Sequence, residues 1–179
     1  MMIEDKDIVR AIRENRERGF RLMMQKYKHP IYWHVRRLVV AHDDAQDATQ
    51  EAFIRASRSF DKFRDDNSFR GWLFRIATNE ALRLIEARRQ GHVSLEEDEN
   101  GVNRMAADNY VDYTDLEAVK LQKAILSLPA KQQAAFNLRY YDELSYEEIA
   151  EAIGSTASAA KANYHVAKEK IIKYMNSNY

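Results

Sequence analysis

The 179-residue chain has no cysteine, only two prolines and only five glycines. The lack of cysteine excludes disulfide bonds and thiolate metal sites, and it is compatible with a reducing compartment. Because proline and glycine interrupt helices, their scarcity beside abundant Ala, Glu, Arg, Lys and Leu favours an all-α fold. No hydrophobic run has the length of a signal-peptide core or of a membrane span, so we expect a soluble, cytoplasmic protein.

The chain also lacks a net charge, since 28 basic residues balance 28 acidic ones. No overall field therefore draws the protein toward nucleic acid. If it binds DNA, its charges must be segregated on its surface. The length of the chain suits one medium domain or two small ones.

The first forty residues predict two helices. A short charged helix is expected from Asp5 to Arg16, and a longer amphipathic one follows, with apolar residues every three or four positions from Phe20 to Leu38. Pro30 interrupts this pattern, which predicts either a kink or the first turn of a further helix. Three histidines in or near this segment are interpreted as surface or capping residues: His29, His34 and His42.

The stretch from Asp43 to Arg89 predicts two helices joined by a short polar loop. In the first helix, Asp43 and Gln46 have the spacing of a capping box, so the helix is expected to begin near Asp44. Alanines at helical spacing indicate a close-packing face: Ala45, Ala48, Ala52 and Ala56. Acidic residues mark another face that is free to meet a basic partner: Asp44, Asp47 and Glu51.

The second of these helices, from about Ser68, has a wide apolar stripe that must face a core. Four polar residues fall within about a third of its circumference: Arg75, Asn79, Arg83 and Arg89. Basic side chains in such a stripe can follow phosphates and an asparagine can read a base edge, although a solvated helix face has the same pattern. The preceding loop, from Asp65 to Ser68, could hold an unstacked base or form an Asx turn.

The composition changes after Arg89. Residues 92–114 are acidic and poor in large aliphatic side chains, which predicts a flexible linker. A helical pattern returns at Leu116, and Pro129 stands where a further helix would start. Ser145 and Glu148 then form a capping box for a helix from Tyr146 to Ile153.

The last segment has the spacing of a helix-turn-helix. Ala150 lies four residues before Gly154, which ends the first helix, and Ala160 lies six residues after it. The outer face of the second helix is predicted to be polar and basic: Ser158, Lys161, His165 and Lys168. Ala160 and Tyr164 are predicted to face inward. This arrangement is typical of a major-groove reader, and a purely structural three-helix unit remains an alternative.

Two segments resemble conserved regions of bacterial extracytoplasmic-function (ECF) sigma factors. The sequence DDAQDATQEAFIRA followed by FRGWLFRIATNEALRLIEARR is similar to their second conserved region, which has a helix of the pattern F-x-x-W-L-[FY]-R-I-A-x-N. Matching residues are Trp72, Leu73, Phe74, Arg75, Ile76, Ala77 and Asn79. The segment that begins SLPAKQQAAF and continues through LSYEEIAEAIGST resembles the fourth conserved region.

The resemblance departs from the family at one place. The second helix of the helix-turn-helix has Ala162, Asn163 and Val166 at positions where family members commonly have arginine. Only Lys161 and Lys168 remain basic there. We therefore expect weaker attraction to DNA phosphates at this helix.

The resemblance implies an all-α protein with a region 2 bundle (residues 1–91), a linker (92–114) and a region 4 helix-turn-helix domain (115–179). It implies a sigma factor that has no catalytic activity and no cofactor, binds core RNA polymerase, recognises and melts promoter DNA, and is held by an anti-sigma factor. One alternative is a free-standing helix-turn-helix regulator. Another is a metal-dependent hydrolase, for which the spacing of its candidate ligands matches no strong metal motif: His42, Asp43, Asp44 and Asp47.

The resemblance also implies three sets of site residues. Core polymerase is expected to contact the acidic helix: Asp44, Asp47, Gln50 and Glu51. The −10 promoter element is expected to contact the loop and the helix after it: Arg64, Asp65, Asp66, Asn67, Ser68, Phe69, Trp72, Arg75, Asn79 and Arg83. The −35 element is expected to have its bases read by Lys161, Ala162 and His165. Its phosphates are expected to contact Arg139, Ser158 and Lys168.

Overall fold

A computed structural model describes residues 2–90 and 114–177, and within these ranges the chain is all-α, as predicted. These ranges contain eight α-helices and one short 3-10 helix: α1 Asp5–Glu14, α2 Arg16–Val39, α3 His42–Ser59, the 3-10 helix Phe60–Lys62, α4 Phe69–Gln90, α5 Leu116–Leu126, α6 Ala130–Tyr140, α7 Tyr146–Ile153 and α8 Ala157–Met175. None of these helices combines the length and the apolar character needed to cross a membrane. The linker predicted over residues 92–114 lies, except for Thr114, outside the described residues.

Helices α1 to α4 pack as a bundle around α2. The apolar face of α2 contacts α1, α3 and α4. The alanine face of α3 is buried, with Ala45, Ala52 and Ala56 at 0 % exposure. Small side chains allow two helices to approach closely, so this face sets the distance between α3 and the rest of the bundle. The predicted close-packing face is confirmed.

The boundary between α1 and α2 differs from the prediction. Helix α1 ends at Glu14 because Asn15 adopts an extended conformation, and the Asn15 side chain accepts a hydrogen bond from the N–H of Arg18 at 3.1 Å. Asn15 is therefore the N-cap of α2, which starts at Arg16. Helix α2 then runs without interruption through Pro30, so the alternative that Pro30 begins a new helix is wrong.

The start of α3 also differs from the prediction. It begins at His42 with Ala41 at the cap, and no side chain caps it, so the predicted Asp43 capping box is wrong. Only Val40 and Ala41 separate α2 from α3. Val40 adopts a left-handed φ of 71°, and its carbonyl accepts a hydrogen bond from Arg36 Nε at 2.7 Å. This tight turn places the first residue of α3 at His42. Asp43, the predicted capping residue, therefore already lies inside the helix.

Helices α5 to α8 form a second group around a small core: Ala124, Ile125, Leu128, Phe136, Ala167 and Ile171. The predicted capping box of α7 is confirmed, since Ser145 Oγ accepts from the N–H of Glu148 at 3.1 Å and Glu148 accepts from the N–H of Ser145 at 2.9 Å. Gly154, with a φ of 68°, ends α7 in the left-handed conformation that glycine favours. Helices α7 and α8 form the helix-turn-helix.

The two groups of helices pack against each other in a closed arrangement. Helix α7 lies against α4, and α6 lies against α2. One continuous apolar core joins Leu73 and Phe74 of α4 to Leu144 and Ile149 of the second group. Helix α4 approaches α7 closely at Gly71, where an added Cβ would lie 2.7 Å from Glu151 Oε2 and 3.4 Å from the Cα of Glu148.

Gly19 is essential for the contact between α1 and α2, because an added Cβ would lie 2.3 Å from the backbone Cα of Ile12. We expect Gly19→Ala to force the two helices apart and to lower the free energy of unfolding by about 1–3 kcal/mol, as overpacking commonly does. Urea unfolding measures the change. Arg18→Ala, exposed in the same turn, is the control and should stay within about 0.5 kcal/mol of the parent. Equal stability of the two variants would contradict the close approach.

Candidate polymerase and nucleic-acid interfaces

The acidic face of α3 contains both exposed and paired side chains. Asp47 and Gln50 are exposed. Asp44 forms an ion pair with Arg88 of α4, and Glu51 lies 3.4 Å from Arg55 within α3. Asp47 and Gln50 are therefore the members of the predicted set that are most available to a partner, whereas Asp44 also holds the end of α4 against the bundle.

A groove between α2 and α3 borders this acidic face. Met24, Tyr32 and Phe53 contribute aromatic and aliphatic surface to its lining, and Lys28 and Gln50 contribute polar groups. A mixed groove beside exposed acidic and amide side chains is suited to a protein partner that has basic residues along a helix.

The loop before α4 rests on a cluster of aromatic rings. Neighbouring ring centroids in this cluster lie 5.4–6.1 Å apart, and its members are Phe60, Phe63, Phe69 and Trp72. Phe69 is only 4 % exposed, and Trp72 is half-buried. Both rings were predicted to contact DNA, and the structure places them beneath the loop, where they support its conformation.

The loop itself makes a tight turn, closed by a hydrogen bond from the N–H of Asn67 to the carbonyl of Arg64 at 3.0 Å. Arg64, Asp66 and Asn67 are exposed. Asp65 accepts a hydrogen bond from Arg13 of α1 at 2.9 Å. The turn therefore presents the cation of Arg64, the carboxylate of Asp66 and the amide of Asn67 to solvent, while α1 holds Asp65.

The polar stripe of α4 is exposed at Arg75, Asn79 and Arg83. Arg83 donates to Glu80 at 2.7 Å, and Arg55 of α3 lies 2.5 Å from the same carboxylate oxygen. Glu80 is 8 % exposed, so its charge is balanced by two arginines. A groove between α3 and α4 has more cations than anions along its lining: Glu51, Arg55, Arg58, Lys62, Glu80 and Arg83. It is therefore suited to a phosphate-bearing strand.

The outer face of α8 is exposed as predicted. Its exposed residues include Ser158, Lys161, Ala162, His165 and Lys168, while Ala160 is fully buried. Arg139 of α6 differs from the others because it is already engaged. It donates to the carbonyl of Leu144 at 2.9 Å, and its guanidinium lies 4.5 Å from the centre of the Tyr146 ring.

The residues proposed for a metal site are not arranged as one. Within residues 2–90 and 114–177, no three His, Asp or Glu side chains come together in a way that could hold a metal ion. His42 Nδ1 lies 2.6 Å from the hydroxyl of Tyr32, and Asp44 pairs with Arg88.

Comparison with known proteins covers both groups of helices. Residues 23–91 match the family Sigma-70 region 2, and residues 118–171 match the family Sigma-70, region 4. The chain is 31% identical to the RNA polymerase sigma-H factor of Pseudomonas aeruginosa, over 95% of this chain and 93% of that protein. It is also 31% identical to the ECF RNA polymerase sigma-E factor of Escherichia coli K12, over 94% of this chain and 93% of that protein.

This chain is an ECF-type RNA polymerase sigma factor. It therefore binds core RNA polymerase and promoter DNA, directs promoter recognition and initiates transcription, and it is not itself an enzyme. The match to Sigma-70 region 2 rules against the two alternatives, a free-standing helix-turn-helix regulator and a metal-dependent hydrolase.

Solved structures share the fold of this sigma factor. CnrH, in complex with the cytosolic domain of CnrY, aligns with a TM-score of 0.73 and 18% identity, over 98% of this chain and 99% of that chain. RpoE of Bartonella quintana, in complex with the anti-sigma factor NepR, aligns with a TM-score of 0.67 and 20% identity, over 89% of this chain and 98% of that chain.

The two halves of this sigma factor are joined at Glu148 of α7. Its carboxylate accepts hydrogen bonds from Arg70 Nε at 3.0 Å, Arg70 Nη2 at 2.7 Å and Ser68 Oγ at 2.9 Å, besides its bond to Ser145. Burial by itself would raise the pKa of Glu148, but the hydrogen bonds and the charge of Arg70 outweigh burial and lower the pKa to about 2. Glu148 is therefore ionised and holds α7 against α4.

A second polar contact between the halves is poorly matched. Asp142 Oδ2 lies 3.8 Å from His34 Nδ1 and 3.9 Å from Arg37 Nη1, and within the described part of the chain none of these three atoms has a hydrogen-bond partner. Burial raises the pKa of Asp142 to about 7, although the charges of Arg37 and Arg70 oppose the rise. Burial and the charge of Arg37 lower the pKa of His34 to about 3. His34 is thus neutral at pH 7, so its contact with Asp142 is not an ion pair.

The position of His34 corrects its interpretation as a surface or capping residue. It is 0 % exposed, and its Nε2 lies 2.8 Å from Thr78 Oγ1 of α4. His34 follows Ile31 and precedes Leu38 on the buried face of α2, so helical periodicity places it in the core. His29 and His42 are exposed, as expected.

Sequence reasoning missed the residues that join the two halves. The capping box predicts the bond between Glu148 and Ser145, but it gives no sign of a second partner 78 residues earlier. Arg70, Arg37 and Asp142 belong to no local motif. Only the packing of α7 on α4 and of α6 on α2 brings them together.

We expect Asp142→Asn to stabilise the chain at pH 8 and to do so less at pH 5.5. Above a pKa of about 7 the buried carboxyl is charged in the folded state, where burial penalises it. As pH falls through 7, the folded state takes up a proton that the unfolded chain, with an ordinary Asp pKa near 4, does not, so the penalty shrinks. The neutral amide has no such penalty. The gain at pH 8 should be about 1–3 kcal/mol.

Thermal unfolding of both proteins at the two pH values measures this effect. Glu143→Gln removes a carboxyl from the exposed neighbouring position and is the matched control. The same stability difference at pH 8 and at pH 5.5 would show that Asp142 is not a buried, titrating group.

Proposed function

We propose that this sigma factor divides promoter recognition between its two groups of helices. Residues 1–91 bind core polymerase and the −10 element, residues 115–179 bind the −35 element, and residues 92–114 connect them. The protein works in the cytoplasm, where core polymerase meets promoter DNA. The observation that supports this division best is that α4 and α8 have separate exposed polar faces in different groups of helices.

The polymerase surface centres on the middle of α3. Asp47 and Gln50 are the exposed members of the acidic face and contact a basic helical coiled coil of core polymerase. Asp44 and Glu51, which already pair with arginines of this chain, add negative potential to the same face. The neighbouring groove between α2 and α3 extends the contact.

The −10 surface consists of the loop and the exposed stripe of α4. Asn67 and Asn79 read base edges, and Arg64, Arg75 and Arg83 contact phosphates of the opened strand. The other residues proposed for this site flank these contacts or support them from below: Asp65, Asp66, Ser68, Phe69 and Trp72. A base that leaves the stack binds beside the loop, where its edge meets an amide.

The −35 surface is the outer face of α8. Lys161, Ala162 and His165 face the bases of the major groove, and Ser158 and Lys168 contact phosphates. Arg139, which is held against Tyr146 and the carbonyl of Leu144, supports the turn before α7 and adds positive charge beside the DNA.

An anti-sigma factor regulates this protein. The structure of RpoE shows a fold of this kind bound to the anti-sigma factor NepR, and that of CnrH shows it bound to the cytosolic domain of CnrY. We infer that the present chain has a partner of the same class, which competes with core polymerase for the chain.

The polymerase surface predicts that Asp47→Arg impairs binding to core polymerase. Charge reversal at an exposed interface position places like charges together and slows association, and the effect should weaken as salt is added. Surface plasmon resonance with immobilised core polymerase measures the rate. Asp43→Arg makes the same change at another exposed position of α3, one turn nearer its start, and should have a smaller effect. Equal effects of the two changes would remove Asp47 from the interface.

The division of promoter recognition is tested by transcription with core polymerase on a pool of genomic promoters. The parent protein should start at discrete sites that share two upstream elements. Asn79→Ala should relax sequence preference in the −10 element alone. Lys161→Ala should relax it in the −35 element alone, at a cost of about 1–3 kcal/mol if Lys161 reads a base.

Lys173→Ala, which removes an exposed lysine from the last turn of α8, is the control for Lys161→Ala. A change at the −35 element caused by Asn79→Ala, or at the −10 element caused by Lys161→Ala, would contradict the proposed division.

A further inference from the structure

Arg70 and Ser68 together hold an anion at the start of α4. Arg70 Nε and Nη2 donate to the two carboxylate oxygens of Glu148 at 3.0 and 2.7 Å, and Ser68 Oγ donates at 2.9 Å. A guanidinium binds the oxygens of a phosphate with the same two-pronged geometry that it uses for a carboxylate. The chemistry of this pair therefore fits a phosphate as well as the glutamate that occupies it.

This pair adjoins the surface proposed for the −10 strand. Ser68 directly follows Asn67 of the loop, and the exposed Arg75 lies farther along α4. The nearby carboxylate of Asp5 is already engaged, because Lys26 Nζ and the hydroxyl of Tyr27 each lie 2.7 Å from it. Asn79 lies nine residues after Arg70, so Arg70 is on the opposite side of α4 from the exposed stripe and adjoins the loop instead. A strand that crosses the loop beside Ser68 therefore passes the Arg70 guanidinium.

We propose that Arg70 and Ser68 bind a backbone phosphate of the −10 strand, and that Glu148 occupies this site while the chain is closed. The inference rests on the proposed assignment of the −10 element to α4 and its loop. Glu148 occupies the edge of Arg70 formed by Nε and Nη2 as well as the Ser68 hydroxyl, so a phosphate binds at this edge only after α7 moves away. Closure of the chain and binding of this phosphate exclude each other.

The spacing of the promoter elements requires this movement. Elements at −35 and −10 are separated by about 25 base pairs, or about 85 Å of duplex at 3.4 Å per base pair. Helix α2, with 24 residues, is the longest in the described ranges and measures about 36 Å. A chain with α7 packed against α4 cannot reach both elements, whereas the 23 residues from 91 to 113 can span at most about 80 Å.

Helix α7 remains capped when it leaves. The bonds between Glu148 and Ser145 lie within the second group of helices, so they do not depend on Arg70. Opening therefore costs the apolar contacts between the two groups of helices, the ionic contact with Arg70 and the hydroxyl contact with Ser68, but not the start of α7. The chain can therefore change between its closed and open arrangements without unfolding the first turn of α7.

Binding of a short, fluorescein-labelled single-stranded DNA of mixed sequence tests the blocking role of Glu148. In the free chain, Glu148→Gln should bind this DNA severalfold more tightly, because glutamine keeps the capping bond and loses the ionic one. In the holoenzyme with core polymerase, where the site is already open, the same change should have no effect. Glu147→Gln, exposed on the same turn of α7, is the matched control and should have no effect in either case.

The salt dependence of binding tests the phosphate contact. In the holoenzyme, Arg70→Gln should weaken binding and reduce the slope of log K against log salt concentration by about 0.7, the value for one phosphate of a single strand. Arg21→Gln, which removes an exposed arginine of α2, should leave the slope unchanged. The double variant Arg70→Glu with Glu148→Arg restores an ion pair between the helices but not the phosphate site, so its slope should be reduced as well.

Two results would each overturn the proposal. An unchanged slope for Arg70→Gln would show that Arg70 contacts no phosphate, and an unchanged affinity of the free chain after Glu148→Gln would show that Glu148 does not block the site. Neither result decides the −10 assignment itself. That assignment is tested separately by the sequence preference of Asn79→Ala, which does not depend on the slope.

Discussion

The carboxylate of Glu148 is the group on which the closed arrangement of this sigma factor depends. It caps α7 and, at the same time, joins α7 to α4 through Arg70 and Ser68. A partly buried carboxylate is stable only when its hydrogen bonds offset the cost of removing its charge from water. Here the bonds outweigh that cost, as the lowered pKa shows. One side chain thus couples a local helix start to the relative position of the two surfaces that we propose bind the promoter.

The rest of the interface combines strong and weak contacts. An apolar core runs across it, and Gly71 lets α4 and α7 come close. Beside this core, Asp142 and Arg37 have buried polar atoms without hydrogen bonds in the described part of the chain, and such atoms reduce the stability of the closed state. An interface of this kind holds the free chain together and still allows a partner to separate its halves. The proposed division of promoter recognition requires that separation, because the two promoter elements are too far apart for the closed chain.

Local patterns in the sequence predicted much of this structure. The alanine face of α3, the capping box at Ser145 and the turn at Gly154 depend on neighbours a few residues away, and all three are confirmed. The Asp43 capping box is wrong because the Val40 turn, which Arg36 holds, sets the start of α3. The burial of His34 follows from the helical periodicity of α2, which its interpretation as a surface or capping residue overlooked. The burial of Phe69 and the pairing of Asp44 depend on packing against distant helices. The Arg70 contact with Glu148 joins residues 78 positions apart, so no local pattern could reveal it.

The most direct test of this account is the distance between the two groups of helices before and after core polymerase binds. Because the chain has no cysteine, the exposed residues Glu17 of α2 and Lys173 of α8 can each be replaced by cysteine and carry a fluorescent label. Energy transfer between the labels should be high in the free chain and should fall when core polymerase is added. Transfer that is already low in the free chain, or that is unchanged by polymerase, would contradict the closed arrangement and its opening.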